Sequence, residues 1–211
     1  MTLVVKTLEA QAMDRWDAYV QRAAGATFFH RAGWKTVLET AFGHNTYFLY
    51  VQEEGVIVGI LPLAQVKSAL FGNTLSSLPF CVYGGIVADN EQAAQALRLE
   101  ACRLAESLRV GALELRNREA GDTNWPVKEL YFTFRKAIEP DDEVNLKAIP
   151  NRQRAMVRKG IEEGLLSEWD DGTERLYRVY AESVRNLGTP VFSAQYLRIL
   201  QQVFGDDCSV L

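Results

Sequence analysis

The sequence predicts an α+β chain: a mixed, mostly antiparallel sheet flanked by helices, followed by the N-terminal part of a second domain on the same plan. Three observations lead there. The spacing of apolar residues switches along the chain in the order strand, two helices, three strands, helix, two strands. The pattern Trp34, Leu38, Phe42, Gly43 recurs with identical spacing as Tyr196, Leu200, Phe204, Gly205. Of the 211 residues, 48% are hydrophobic and 24% charged, ordinary proportions for a globular chain that can bury a core.

Thr2 to Leu8 alternates and reads as a strand, and Asp14 to Ala24 places Trp16, Tyr19 and Val20 on one helical face. A second helix is expected from about His30 to Phe42, ended by Gly43. Thr46 to Val51 and Val56 to Val66 are rich in β-branched and aromatic residues, with Glu53-Glu54-Gly55 as the hairpin between them. A short strand follows near Thr74 to Leu78, then a loop from Pro79 to Gly85 and a long helix from about Asn90 to Leu108. Val110 to Arg116 and Tyr131 to Arg135 read as two more strands.

Asp141 to Ala148 opens a new helical region, which Pro150 restarts as a basic helix stopped by Gly164. Leu165 to Trp169 reads as a strand. Thr173 and Ser193 are placed to cap two further helices, the first with Leu176, Tyr180, Val184 and Leu187 on one face, the second with Tyr196, Leu200 and Phe204. Residues 165 to 211 thus replay residues 2 to 51. The expected domains are 1–140 and 141–211, the second incomplete, so the sequence is expected to be a fragment that is inactive by itself, with a further domain's length encoded beyond Leu211.

Composition removes several function classes. No apolar run approaches the roughly 20 residues of a membrane-crossing helix, and Met1 to Lys6 lacks the form of a signal peptide, so the chain is expected to be soluble and cytoplasmic. Two histidines and three unpaired cysteines point to no metal. A formal charge of -4 argues against DNA binding. Charge is nevertheless concentrated: between Asn145 and Ile161 stand Lys147, Arg152, Arg154, Arg158 and Lys159 with no carboxylate, and -4 overall against +5 here leaves -9 elsewhere.

Several runs carry a family resemblance: Phe28-Phe29-His30-Arg31-Ala32-Gly33-Trp34, Leu61-Pro62-Leu63, Pro79-Phe80-Cys81-Val82-Tyr83-Gly84-Gly85, the basic run from Ile149 to Gly160, and Asn186-Leu187-Gly188-Thr189-Pro190-Val191-Phe192. Together with the element order they resemble tandem GNAT acyltransferase units of the FemAB family, in particular its exosortase and PEP-CTERM-associated group. Fem transferases attach amino acids from aminoacyl-tRNA to peptidoglycan precursors. The resemblance implies an acyl or aminoacyl transferase moving its group onto an amine of a cell-envelope or exopolysaccharide-related acceptor, with aminoacyl-tRNA or acyl-CoA as donor and no certain cofactor. It also implies that the basic helix lies near a phosphorylated or carboxylated substrate.

Residue chemistry supplies the site candidates. On a helix Arg152, Met156 and Lys159 share one face, while Arg154 and Arg158 share another, and either pair could clamp phosphate or carboxylate oxygens. Cations of this kind also commonly do no more than solvate a helix. Phe80, Tyr83 and Gly84 belong to a loop whose paired glycines allow close approach of backbone to a ligand, or simply make a tight connection. His30 is the candidate general base, and as a residue at a helix start it is equally a capping group. Arg185 to Pro190 imitates the arginine and glycine loop that GNAT enzymes use for the coenzyme A pyrophosphate, but it joins two helices instead of following the central strand. Tyr83 to Asn90, which does occupy that place, has glycines and no such arginine. The competing readings are therefore a FemAB-type transferase, a coenzyme A-dependent N-acyltransferase, and a non-catalytic scaffold in polysaccharide export or protein sorting.

Overall fold

The computed structural model describes residues 2–68, 70, 72–119, 125–128 and 132–211. Its sheet begins with β1 (Leu3–Thr7), which pairs antiparallel with β2 (Asn45–Glu53). The turn from β2 into β3 (Val56–Ser68) places Glu54 and Gly55 at φ 49° and 86°, the two left-handed residues that a tight hairpin needs to match strand twist. Then come β4 (Gly72–Ser77), the two-residue β5 (Val87–Ala88) and β6 (Ala112–Glu114). The order is β1-β2-β3-β4-β6, with β5 pairing on β3. Every pair is antiparallel except β4 with β6, which run parallel with Leu75 opposite Leu113. A parallel neighbour requires a crossover, and α3 (Glu91–Ser107) is that crossover, its first turn capped where the Asn90 side chain accepts from the Ala93 amide at 2.8 Å.

β2 and β3 are almost continuously apolar because both sheet faces are covered. Phe48, Tyr50 and Ile60 point into a core with Trp16 and Tyr19 of α1 (Met13–Arg22) and with Val37 and Leu38 of α2 (Gly33–Phe42). The alternate residues Leu49, Val51, Leu61 and Leu63 point to the other face, under Ala93, Leu97 and Ala101 of α3. Gly43 ends α2 in the left-handed conformation, φ 66°.

By internal contacts the chain divides into two units, Met1–Gly121 with Gly172–Val210, and Asp122–Asp171 with Leu211. The second unit holds α4 (Asp142–Ala148) and α5 (Asn151–Glu162), neither of which buries a residue. The first unit holds α6 (Glu174–Asn186) and α7 (Ala194–Phe204). Helix α7 packs on α2 with the repeated aromatics exchanged: Trp34 meets Phe204 at 5.4 Å between ring centroids, and Tyr196 meets Phe42 at 5.1 Å. The flanking rings repeat as well, Phe29 on Trp34 and Phe192 on Tyr196. Gly33 sets the approach of the two helices, since a Cβ there would lie 2.8 Å from side-chain atoms of both Val203 and Phe204.

Some expectations change. Helix α2 starts at Gly33, with Phe28–His30 forming a separate 3-10 turn before it. The strand expected over 110–116 is shortened to Ala112–Glu114, and β5 was not anticipated. Leu165 to Trp169 is irregular, as are Phe132 to Arg135, and Tyr131 falls outside the described residues. A strand forms only where its backbone groups find a ladder, and no described strand pairs with either segment. Thr173 and Ser193 occupy N-cap positions but make no side-chain cap bond, and no residue of α6 is fully buried, Tyr180 and Val184 being half-buried.

Candidate active site

The residues singled out from sequence separate between the two units. In the first, the loop after β4 is the most constrained backbone of the described chain: Leu78 and Phe80 take positive φ angles of 46° and 72°, conformations that cost non-glycine residues energy and collect at functional sites. Beyond Ser76 and Glu114, β4 and β6 stop pairing directly and this loop bonds in from the side. The Arg116 amide donates to Ser77 Oγ at 2.7 Å, and Gly84 and Gly85 amides donate to Arg116 O at 3.2 and 3.0 Å. The Ile86 amide donates to Asn117 Oδ1, and the Arg116 guanidinium donates to Cys81 O at 2.7 Å.

The close approach that the paired glycines permit is therefore made by the chain itself. A Cβ on Gly84 would lie 2.6 Å from Leu78 Cβ, and one on Gly85 would lie 2.2 Å from Asn117 Oδ1. The amides of Gly84, Gly85 and Ile86 are already spent on Arg116 and Asn117.

Phe80 remains 42% exposed. Its ring stacks on Phe42 at 4.5 Å and lies nearly parallel to His44 at 5.8 Å, with Phe192 edge-on at 5.5 Å. Tyr83 sits half-buried, 6.5 Å from Phe29. Loop 78–85, the end of α2 and the start of α7 thus share one aromatic shelf.

His30 is 2% exposed. Its Nδ1 accepts from the Thr27 amide at 3.1 Å, so Nε2 carries the proton and donates to Gly85 O at 3.2 Å. Both nitrogens hold the fold together, which removes the free lone pair a general base requires. Sequence reasoning overlooked His44. Its Nε2 is buried without a hydrogen-bond partner among the described residues, beside an open depression of 520 Å³ lined by Glu39, Gly43, Asn45, Thr46 and Tyr47. Lys35, Glu39 and Thr46 bond to one another along that rim. Its place directly after the Gly43 cap, beside aromatic Phe42, was the available signal.

Burial holds both histidines below their ordinary value of 6.5. Unfolding restores proton affinity, so the unfolded chain binds more protons and stability falls as pH drops below 6.5. The urea midpoint is expected to decline across that window, and His44→Phe, which keeps the ring stack, is expected to reduce the slope. A midpoint independent of pH there would contradict the burial argument.

In the second unit, the Arg154 guanidinium folds back onto the carbonyls of Lys147 at 2.7 Å and Ile149 at 2.9 Å. That closes the α4–α5 turn across Pro150 and engages Arg154 Nε and Nη2 with backbone carbonyls. Arg152 and Lys159 are exposed, with no partner among the described residues. The coenzyme A-like stretch lines a depression of 730 Å³ with Ala181, Glu182, Arg185, Gly188, Thr189, Pro190 and Val191. It follows the C-terminus of α6, where the helix dipole and the Glu182 carboxylate both disfavour phosphate.

Among the described strands the sheet is mixed and mostly antiparallel, with one parallel pair bridged by a long helix, and helices flank it on both faces. Among solved structures the chain is similar to FemX, with TM-score 0.64 and 17% identity over 97% of this chain and 55% of that one, so it spans about half of FemX's length. Weaker likenesses are a GNAT family acetyltransferase of Staphylococcus aureus (TM-score 0.43, 12% identity, 65% of this chain, 100% of that one) and a ribosomal-protein-alanine N-acetyltransferase of Brucella melitensis (0.40, 15%, 63% and 100%). No family model matches the chain, and neither does any curated protein.

Proposed function

We propose that this chain is part of a FemAB-type acyl or aminoacyl transferase that acts on an amine of a cell-envelope or exopolysaccharide-related acceptor. The observation that carries the reading is the likeness in fold to FemX along 97% of the chain. The internal use of the Gly84, Gly85 and Ile86 amides favours aminoacyl-tRNA over acyl-CoA as donor. In the reaction the acceptor amine attacks the ester carbonyl carbon and a C–N bond forms as the ester C–O bond breaks. The departing tRNA 3′-oxygen takes up the proton that the amine gives up.

The protein's part is placement and charge. In the first unit Phe80 offers an apolar ring face and Tyr83 belongs to the same loop; in the second, Arg152 and Lys159 are the cations suited to phosphate or carboxylate oxygens of the acceptor. His30 braces the loop and takes no proton. Supplied with labelled aminoacyl-tRNA or labelled acetyl-CoA and an amine-bearing, phosphate-linked envelope precursor, the full-length protein is expected to label the acceptor from aminoacyl-tRNA alone. Arg152→Ala with Lys159→Ala is expected to lower kcat/KM by about tenfold or more per lost charged hydrogen bond, with unchanged unfolding. Labelling from acetyl-CoA would favour the N-acyltransferase reading, and labelling from neither would favour the scaffold.

A further inference from the structure

Phe80 presents its ring to solvent while its neighbours do not: Pro79 and Cys81 are buried, and Leu78 has no exposed surface. An apolar ring held outward by a backbone at φ 72° is unfavourable twice over, since burial and a negative φ would each relieve it. Such a conformation persists only where the surroundings over-determine it. The restraint beside Phe80 comes from Arg116, 35 positions beyond Cys81. Its guanidinium donates through Nη1 to Cys81 O at 2.7 Å and through Nε to the Glu114 carboxylate at 2.9 Å. Glu114 thus aims the guanidinium, the guanidinium fixes the carbonyl of the residue after Phe80, and the Cys81 side chain is anchored in the core. A charged donor makes such a bond roughly twice as strong as a neutral one.

We infer that Arg116 is the positioning residue for Phe80: its guanidinium holds the exposed ring on Phe42, in the place where the transferase reading has it meet substrate. The backbone of Arg116 supports the loop whatever its side chain, because its amide bonds Ser77 Oγ and its carbonyl accepts from the Gly84 and Gly85 amides. What the guanidinium adds is the bond at Cys81, one residue from the exposed ring. The ring so placed completes a stack, 4.5 Å from Phe42 and nearly parallel to His44 at 5.8 Å. Relaxation of Phe80 to a negative φ would carry it off both. The part played in the reaction rests on the transferase reading, whereas the effect on the ring is measured with no donor or acceptor present.

The ring is followed by fluorine NMR of the full chain labelled with 4-fluorophenylalanine, the Phe80 signal being the one that Phe80→Leu removes. Arg116→Gln keeps the backbone bonds of residue 116 and is expected to move that signal toward its solvent-exposed value, with the signals of buried Phe48 and Phe204 in place. Glu114→Ala is expected to move it less and in the same direction. An unmoved Phe80 signal in Arg116→Gln overturns the inference, and so does a shift of all the signals together, which would make Arg116 a support of the whole fold. Should Arg116→Gln fail to fold, Glu114→Ala decides, and an unmoved Phe80 signal there overturns the inference. In the transferase assay Arg116→Gln is expected to lower kcat/KM about tenfold, the effect of one charged hydrogen bond. In a Phe80→Leu background the same change should add nothing, because the ring it places is gone. Equal losses in both backgrounds would overturn positioning through Phe80. No transfer by the wild type would sink the transferase reading alone and leave the fluorine signal to decide whether Arg116 places the ring.

Discussion

Replacing Trp16 with alanine is expected to cost about 3–5 kcal/mol, measured as the loss of unfolding free energy in urea. The indole has no exposed surface, its ring packs on Phe48 at 5.5 Å, and its Nε1 donates to His30 O at 2.6 Å. Truncation would leave a cavity between α1 and the sheet and would also strand a buried carbonyl. Domains are stable by only about 5–15 kcal/mol, so this change would take a large share. The effect should travel: the turn that accepts the Trp16 bond contains His30, whose ring joins Thr27 to Gly85 and so to the loop that carries Phe80. Trp16→Phe separates the two contributions, since it keeps most of the volume and loses only the hydrogen bond, for about 1–3 kcal/mol. A cost below about 1 kcal/mol for alanine would mean that α1 does not anchor the core.

Gly85→Ala should be the most disruptive small substitution in the candidate site. The new methyl would stand 2.6 Å from Asn117 Cα and 2.8 Å from its amide nitrogen, both backbone atoms that cannot step aside as a flexible side chain would. Relief requires loop 78–86 to move away from β6, which breaks the Gly84 and Gly85 bonds to Arg116 O and the His30 bond to Gly85 O. Overpacking of this kind costs about 1–3 kcal/mol, and loss of the bonds adds to it. Gly111→Ala is the control, because its nearest neighbour is Asn73 O at 3.6 Å, an ordinary contact. The outcome also distinguishes two roles for the glycine. If Gly85 serves internal packing, stability falls together with activity. If it cradles a ligand, stability stays and only ligand affinity falls.

The candidate site was half legible in the sequence. Gly84 and Gly85 were recognised as places where something comes close, but spacing alone does not say whether the visitor is a ligand or Asn117, 32 positions further on from Gly85. Arg152, Arg154 and Lys159 stood out as charge, yet the bond from Arg154 to Lys147 O and Ile149 O depends on the chain folding back at Pro150. His30 carried the right chemistry for a base and lost it to burial. His44 drew no notice because its unpartnered nitrogen is a property of packing against Phe42 and Phe80.

What the sequence determined by itself were the features set by local periodicity and turn chemistry. These were the helical faces of Trp16 and Tyr19 and of Leu97 and Ala101, the hairpin at Glu54-Gly55, the stop at Gly43, and the matching aromatic spacing of α2 and α7; the helix start differs, since Ala94 was expected on the apolar stripe and Ala93 is the alanine that is buried. Tertiary structure decided everything that depends on a distant partner: that β4 and β6 run parallel, that Leu165 to Trp169 stays irregular, that α7 rests on α2 with its rings exchanged, and that the loop between β4 and β5 fills its own glycine niche. The division is physical, because a residue's period and φ preference act within a few positions, whereas a ladder, a ring contact or a buried lone pair exists only once the chain has returned to meet itself.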